Sequence, residues 1–139
     1  MLKVTAADRY FSLCVRERVN YTCERCGTFA PPDLRKRLDC SHFHGRGKWS
    51  VRFDPENCFA LCMGCHLHMT ANPIEHTEWV RERLGPYRFD ALRERANDTR
   101  LGRLHKREQS AIAKHYKAEL ENLRSQRSAT EGRIEFVGY

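Results

Sequence analysis

Apolar positions along the first part of the chain come in short blocks of changing period, and each block predicts a different element. In residues 6–19, A-A-D-R-Y-F-S-L-C-V-R-E-R-V, Tyr10, Cys14 and Val15 with Phe11 and Arg18 fall at helical spacings, which predicts a short amphipathic helix with Cys14 on its buried face. Residues 28–37, with Pro31 and Pro32, read as a loop, and Arg37 to Phe43 as a strand. A basic loop with Gly45, Arg46, Gly47 and Lys48 follows, and Asp54-Pro55-Glu56-Asn57 is a turn signature, since Asp and Asn bond nearby backbone and Pro presets its own φ. Cys58 to Leu61 predicts a second strand, and Gly64 onward a helix carrying Cys65, His66 and Met69. Asn72-Pro73-Ile74-Glu75 then starts another helix by an Asn cap, a first-turn Pro and an early Glu. Trp79, Val80 and Leu84 are its apolar side, and Gly85-Pro86 stops it.

From Phe89 the chain is basic and helical. Phe89, Leu92 and Ala96 make one stripe, and Ile112, Tyr116, Leu120 and Leu123 another, with a break expected across Asn97 to Gly102. So narrow a stripe on a charged helix suits docking onto the core, a partner helix or a second copy. Arg133 to Tyr139 alternate weakly, as a small strand or a loose tail would. The pattern predicts a mainly helical α+β fold: a core over residues 1–86 and a basic helical extension over 87–139.

Composition adds two constraints. The 139 residues carry a formal net charge of +7, which points to a polyanionic partner, since Lys and Arg gain affinity by displacing counterions condensed on nucleic acid. The N-terminus lacks the apolar run of a secretory signal and nothing approaches a membrane span, so a soluble protein of the cytoplasm is expected, with no membrane partner.

Seven cysteines is an odd number, and four of them form two Cys-x-x-Cys pairs, which argues for metal ligation rather than a disulfide framework. Cys23, Cys26, Cys62 and Cys65 offer four thiolates, with Gly27 permitting the tight turn of the first pair. Four thiolates complete the tetrahedral shell of Zn²⁺ and leave no open position, so a structural zinc is expected, a redox dithiol or an iron–sulfur cluster being the other uses of this spacing. Cys40 and Cys58 lack a partner at that spacing and read as buried strand residues.

His42 ends the first predicted strand and His66 lies just past the second cysteine pair, so the fold-back that zinc enforces is expected to bring them close. Phosphodiester hydrolysis needs a base for water and a cation for the charge on phosphate and leaving oxygen. His42 fits the base, and His66 a ligand to a divalent ion separate from the zinc. His68 is expected to be exposed, and His76, His105 and His115 to sit on solvated faces.

Cys23-x-x-Cys26, His42, Asp54-x-x-Asn57 and Leu61-Cys62-x-x-Cys65-His66 together resemble the HNH endonucleases, the ββα-metal or His-Me finger superfamily, over roughly residues 20–72. The resemblance implies a small zinc-stabilised ββα-metal core with His42 as general base. It also implies that Asn57 braces the connecting loop and orients His42, and that His66 binds Mg²⁺ or Mn²⁺. Many HNH enzymes place Asp or His immediately before the base, where this chain has Ser41. The second ligand is therefore open among Asp39, His44 and Ser41, in that order. More narrowly, S-H-F-x-x-R, R-F-D-P-E-N and N-P-x-x-x-x-x-W-V-x-x-x-L-G look like phage-associated nucleases of the NinG/Rap recombination family, whose substrates include branched DNA.

Arg46, Lys48 and Arg52, with Trp49 among them, are expected to grip phosphate beside the base, and Arg100, Arg103, Lys106 and Arg107 to extend the footprint. No base-reading helix is evident, which favours structure-selective or weakly specific cutting of DNA. The expected activity is metal-dependent DNA endonuclease. The alternatives are a zinc-stabilised DNA-binding module without catalysis, or a nuclease that works only with a recombination or packaging partner, and the Ile112 to Leu123 stripe offers a homodimer seam.

Overall fold

Thr5 opens the first helix, α1 (Ala6–Arg18), through a reciprocal capping box: its hydroxyl accepts from the Asp8 N–H while the Asp8 carboxylate accepts from the Thr5 N–H. The computed structural model describes residues 2–139. Phe11, Cys14 and Val15 form the buried side of α1. A left-handed pair, Asn20 and Tyr21, turns the chain out of the helix, and Thr22 bridges Phe29 around the first cysteine pair. A short helical turn, Pro32–Leu34, precedes the sheet.

Strands β1 (Leu38–His42) and β2 (Cys58–Cys62) pair antiparallel in an unbroken register from Leu38 opposite Cys62 to His42 opposite Cys58. Helix α2 (Met63–Ala71) follows β2 with no intervening loop. Both α1 and α2 pack against the strands, on opposite faces: the Phe11 ring lies 6.4 Å from that of His42, whereas Asp39, an odd number of residues away on β1, meets His66 of α2.

Helices α3 (Pro73–Leu84), α4 (Pro86–Ala96), α5 (Thr99–Arg107) and α6 (Gln109–Arg127) complete the chain. Asn72 does not cap α3 with its side chain, which instead donates to the His68 carbonyl at 2.8 Å, while Glu75 pairs with His68; Pro73, needing no N–H partner, suffices to start the helix. Gly85, at φ 80°, ends α3, and Pro86 begins α4 at once, so the expected stop is a corner. The break expected across Asn97 to Gly102 is confined to Asn97 and Asp98: Asp98 caps α5, which is helical from Thr99 and includes Gly102.

The stripe of Ile112, Tyr116, Leu120 and Leu123 on α6 is buried against α1, where the Cys14 thiol donates to the Tyr116 carbonyl at 3.4 Å. Of the three uses expected for that stripe, docking onto the chain's own core is the one observed, so it does not present a homodimer seam. The last residues are neither strand nor loose tail. Ile134 and Phe136 are buried, the Ile134 N–H donates to the Arg18 carbonyl, and the Arg18 guanidinium lies 5.3 Å from the Phe136 ring. Residues from both sides of position 86 thus share one apolar core. Among the described residues no helix is long and apolar enough to cross a membrane.

Candidate functional site

The four knuckle cysteines converge. Gly27, at φ 77°, lets the first pair turn back so that its N–H reaches the Cys23 carbonyl, and Cys62 sits where β2 becomes α2. The sulfurs of Cys23, Cys26, Cys62 and Cys65 all lie within 4.8 Å of one another. Cys26 and Cys62 are 3.7 Å apart, which matches the edge of about 3.8 Å of a tetrahedron with Zn–S bonds of about 2.3 Å. The Cys65 N–H points at the Cys62 sulfur (3.5 Å) and the Arg25 guanidinium at that of Cys65 (3.3 Å), donors that stabilise thiolate. The thiols are unequal: hydrogen bonds from the Thr28 side chain and backbone lower Cys26 to about 6, whereas burial raises Cys65 to about 12 against the pull of Arg25. This cluster can hold a structural zinc, and a divalent cation would deprotonate all four.

One turn along α2, His66 Nδ1 lies 2.8 Å from Asp39 Oδ2, and Arg37 Nε donates to the other carboxylate oxygen at 2.6 Å. Burial opposes ionisation of Asp39, but the bonds from Arg37 and His66 hold its carboxyl below the usual carboxylate range. Because strand side chains alternate, Asp39 shares its face of β1 with Ser41, the position where the HNH resemblance expects an acidic ligand. Ser41 is itself buried, and His44 is engaged elsewhere, its backbone held by Asn57 and its ring against Phe43. Asp39 is therefore the one of the three expected second ligands that reaches His66.

His76 was expected on a solvated face and is instead half-buried. Its Nε2 is buried without a hydrogen-bond partner, its ring stacks edge-on against Phe43 at 5.2 Å, and burial, with the charge of nearby His66, lowers its pKa. The signal was in the sequence: His76, Val80 and Leu84 stand at i, i+4 and i+8, and the latter two are buried. His105 and His115 are likewise tied down, to the carbonyls of Trp49 and Val137.

Strand alternation sets His42 on the face of β1 opposite to Asp39, the residue that meets His66. The His42 Nε2 meets the Arg52 carbonyl at 2.9 Å, and burial lowers its pKa below the ordinary histidine value. Among the described residues β1 pairs with no strand other than β2. Asn57, fully buried, braces the connecting loop: its Oδ1 accepts from the His44 N–H, and its amide donates to the carbonyls of His44 and Val51, next to the carbonyl that holds His42.

The cationic residues divide. Arg52 is buried, with a bidentate bond to Asp8 (2.9 and 2.7 Å), a further bond to the Lys3 carbonyl, and its guanidinium 4.1 Å from the Trp49 ring. It anchors the loop to α1 and is not available to phosphate, which corrects the expectation for this residue. Arg46 is partly committed to the Lys3 carbonyl and Asp8, and Trp49 is half-buried between Arg52 and Lys106. Lys48, Arg100, Arg103, Lys106 and Arg107 are exposed, and among the described residues none of them pairs with a carboxylate. Lys48, Arg103 and Lys106 line a groove of about 390 Å³ where α5 docks on the loop, Gly102 lying against Ser50.

Fold and site together define a small, mainly helical α+β protein with a two-stranded sheet and a four-cysteine cluster suited to zinc. The family model described as Bacteriophage Lambda NinG protein matches residues 4–126, nearly the whole chain, and the chain belongs to that family. Membership associates it with phage recombination. Comparison with curated proteins and with solved structures returns no match.

Proposed function

We propose that this chain is a metal-dependent DNA endonuclease of the HNH type that acts in phage recombination, on branched or otherwise structurally distinctive DNA. The observation that carries the reading is the Asp39–His66 pair, an ionised carboxylate and an imidazole 2.8 Å apart on the strand face where the resemblance expects a catalytic ion. Asp39 and His66 would hold Mg²⁺ or Mn²⁺. When bound, such an ion supplies charge stabilisation on the phosphate and the leaving 3′-oxygen.

The rest falls to the chain's own groups. Donation of the His42 Nε2–H to the Arg52 carbonyl fixes the tautomer and leaves Nδ1 to take a proton from water. Burial keeps that imidazole neutral at pH 7, the form a base requires. Lys48 and the exposed cations of α5 would hold phosphates and thereby position DNA without reading its sequence.

A second reading, a zinc-stabilised DNA-binding module without catalysis, draws on the placement of His42 on the face of β1 opposite to Asp39 and on Ser41. Cleavage of linear, nicked and four-way-junction DNA, with and without EDTA, separates the two. The expected outcome is EDTA-sensitive cutting, abolished in His42→Ala and Asp39→Asn while zinc content and DNA binding persist. Normal cutting by His42→Ala would sink the mechanism, and absence of cutting by the wild type under all conditions favours the binding module.

A further inference from the structure

Cys40 and Cys58, read from the sequence as inert strand residues, share the α1-facing side of the sheet with His42. The register sets Cys58 directly opposite His42 and Cys40 opposite Ala60, so the three side chains form a triangle, and their ligand atoms lie within 4.8 Å of one another. Cys58 is fully buried, while Cys40 and His42 are half-buried. The contact from His42 Nε2 to the Arg52 carbonyl is the kind of support a metal-ligating histidine commonly has, and it leaves Nδ1 with its lone pair.

We propose that Cys40, His42 and Cys58 form a second metal site, distinct from the four-cysteine cluster, for a thiophilic divalent cation such as Zn²⁺, and that its occupancy silences the chain by taking the lone pair of His42. The silencing half rests on the nuclease reading; the site itself does not. Two physical arguments favour a cation over a disulfide here. Cys40 and Cys58 are diagonal rather than directly opposed, and diagonal strand positions lie about 7–8 Å apart at Cα, beyond the roughly 7 Å limit for a disulfide. An ion with bonds of about 2.3 Å to each sulfur bridges thiolates about 3.8 Å apart without moving backbone. Charge agrees as well. Zn²⁺ displaces one proton from each thiol, releasing two to solvent, and the product with two thiolates and a neutral imidazole has no net charge, which lessens the cost of burial. Solvent would fill the fourth position.

The test uses the full chain carrying one equivalent of Zn²⁺ in its four-cysteine cluster, to which Co²⁺ is added as the probe. The expected result is one further equivalent bound with a thiolate-to-cobalt charge-transfer band, lost in Cys40→Ala and in Cys58→Ala, each checked for native circular dichroism. The Asp39–His66 pair contains no thiol and gives no such band. A wild type without the band, or a band unchanged in both variants, overturns the site whether or not the chain cuts DNA. In the cleavage assay, added Zn²⁺ should slow the wild type by roughly 100-fold, the scale of a general base's contribution, and leave Cys40→Ala nearly unaffected. Equal inhibition of both overturns the silencing role while the cobalt band still reports the site, and a band without any cleavage supports the site and places the failure in the nuclease reading.

Discussion

At the scale of single residues, the polar side chains that matter most to the fold are buried ones that tie the connecting loop down. Asp8 is held by Arg52 and Thr5, and although burial opposes its ionisation these bonds keep its carboxyl below the usual range. Asp8→Asn should cost about 3–5 kcal/mol near neutral pH, because it breaks a buried pair and leaves Arg52 without its counter-charge. A carboxyl whose folded pKa lies below its unfolded value of about 3.9 contributes stability above that value and loses it as pH falls through the folded one. Denaturation at several pH values should therefore show a gap between wild type and Asp8→Asn that is steady from about pH 7 to 5 and narrows only below about pH 4. Asn57→Ala strands the His44 N–H and the His44 and Val51 carbonyls, and should lower stability by about 2–4 kcal/mol in urea unfolding. The turn itself was legible from the D-P-E-N pattern, whereas the bracing role is what the HNH resemblance implies. Arg52 was misread because a basic residue in a basic loop looks the same in sequence whether it faces water or, as here, an aspartate more than forty positions earlier.

At the scale of elements, β1, β2 and α2 are gathered around the knuckle cysteines, and the order strand, long loop, strand, helix was readable from short apolar blocks, turn signals and the Cys-x-x-Cys spacing. So small a sheet, of two strands, has little core of its own and draws on the cluster to fix its ends. Removing the ion with a strong chelator, or Cys62→Ser, should collapse the cooperative unfolding transition seen by circular dichroism. A chelated chain that keeps its transition while losing only activity would contradict this. What the spacing of the cysteines did not reveal is which face of β1 each neighbour occupies. That depends on an unbroken register, and the register places Asp39 with His66, and His42 with Cys40 and Cys58.

At the scale of the whole molecule, the helices after position 86 have two roles. Through α6 and the final residues they complete the core around α1, and through α5 they add an exposed run of cations beside Lys48. Replacing Arg100, Arg103 and Lys106 together by Ala should weaken DNA binding at low salt and reduce the slope of log affinity against log salt by about 0.9 for each lost phosphate contact. The melting temperature should hardly move, since no residue of α5 is buried. An unchanged salt slope would remove α5 from the interface.

The sequence by itself determined the features that depend on local rules: the helix and strand periods, the knuckle pairs whose ligand chemistry is intrinsic to cysteine, the Asp54 to Asn57 turn, and the excess of positive charge. Tertiary structure alone decided what depends on residues far apart in the chain. It turned Arg52 inward to Asp8, covered the α6 stripe with α1, packed His76 against Phe43, and chose Asp39 as the carboxylate that His66 meets. The physical reason is the same in each case. A side chain's period sets the face it occupies, but only packing decides what lies against that face, and burial then determines whether a charge is free, paired or suppressed.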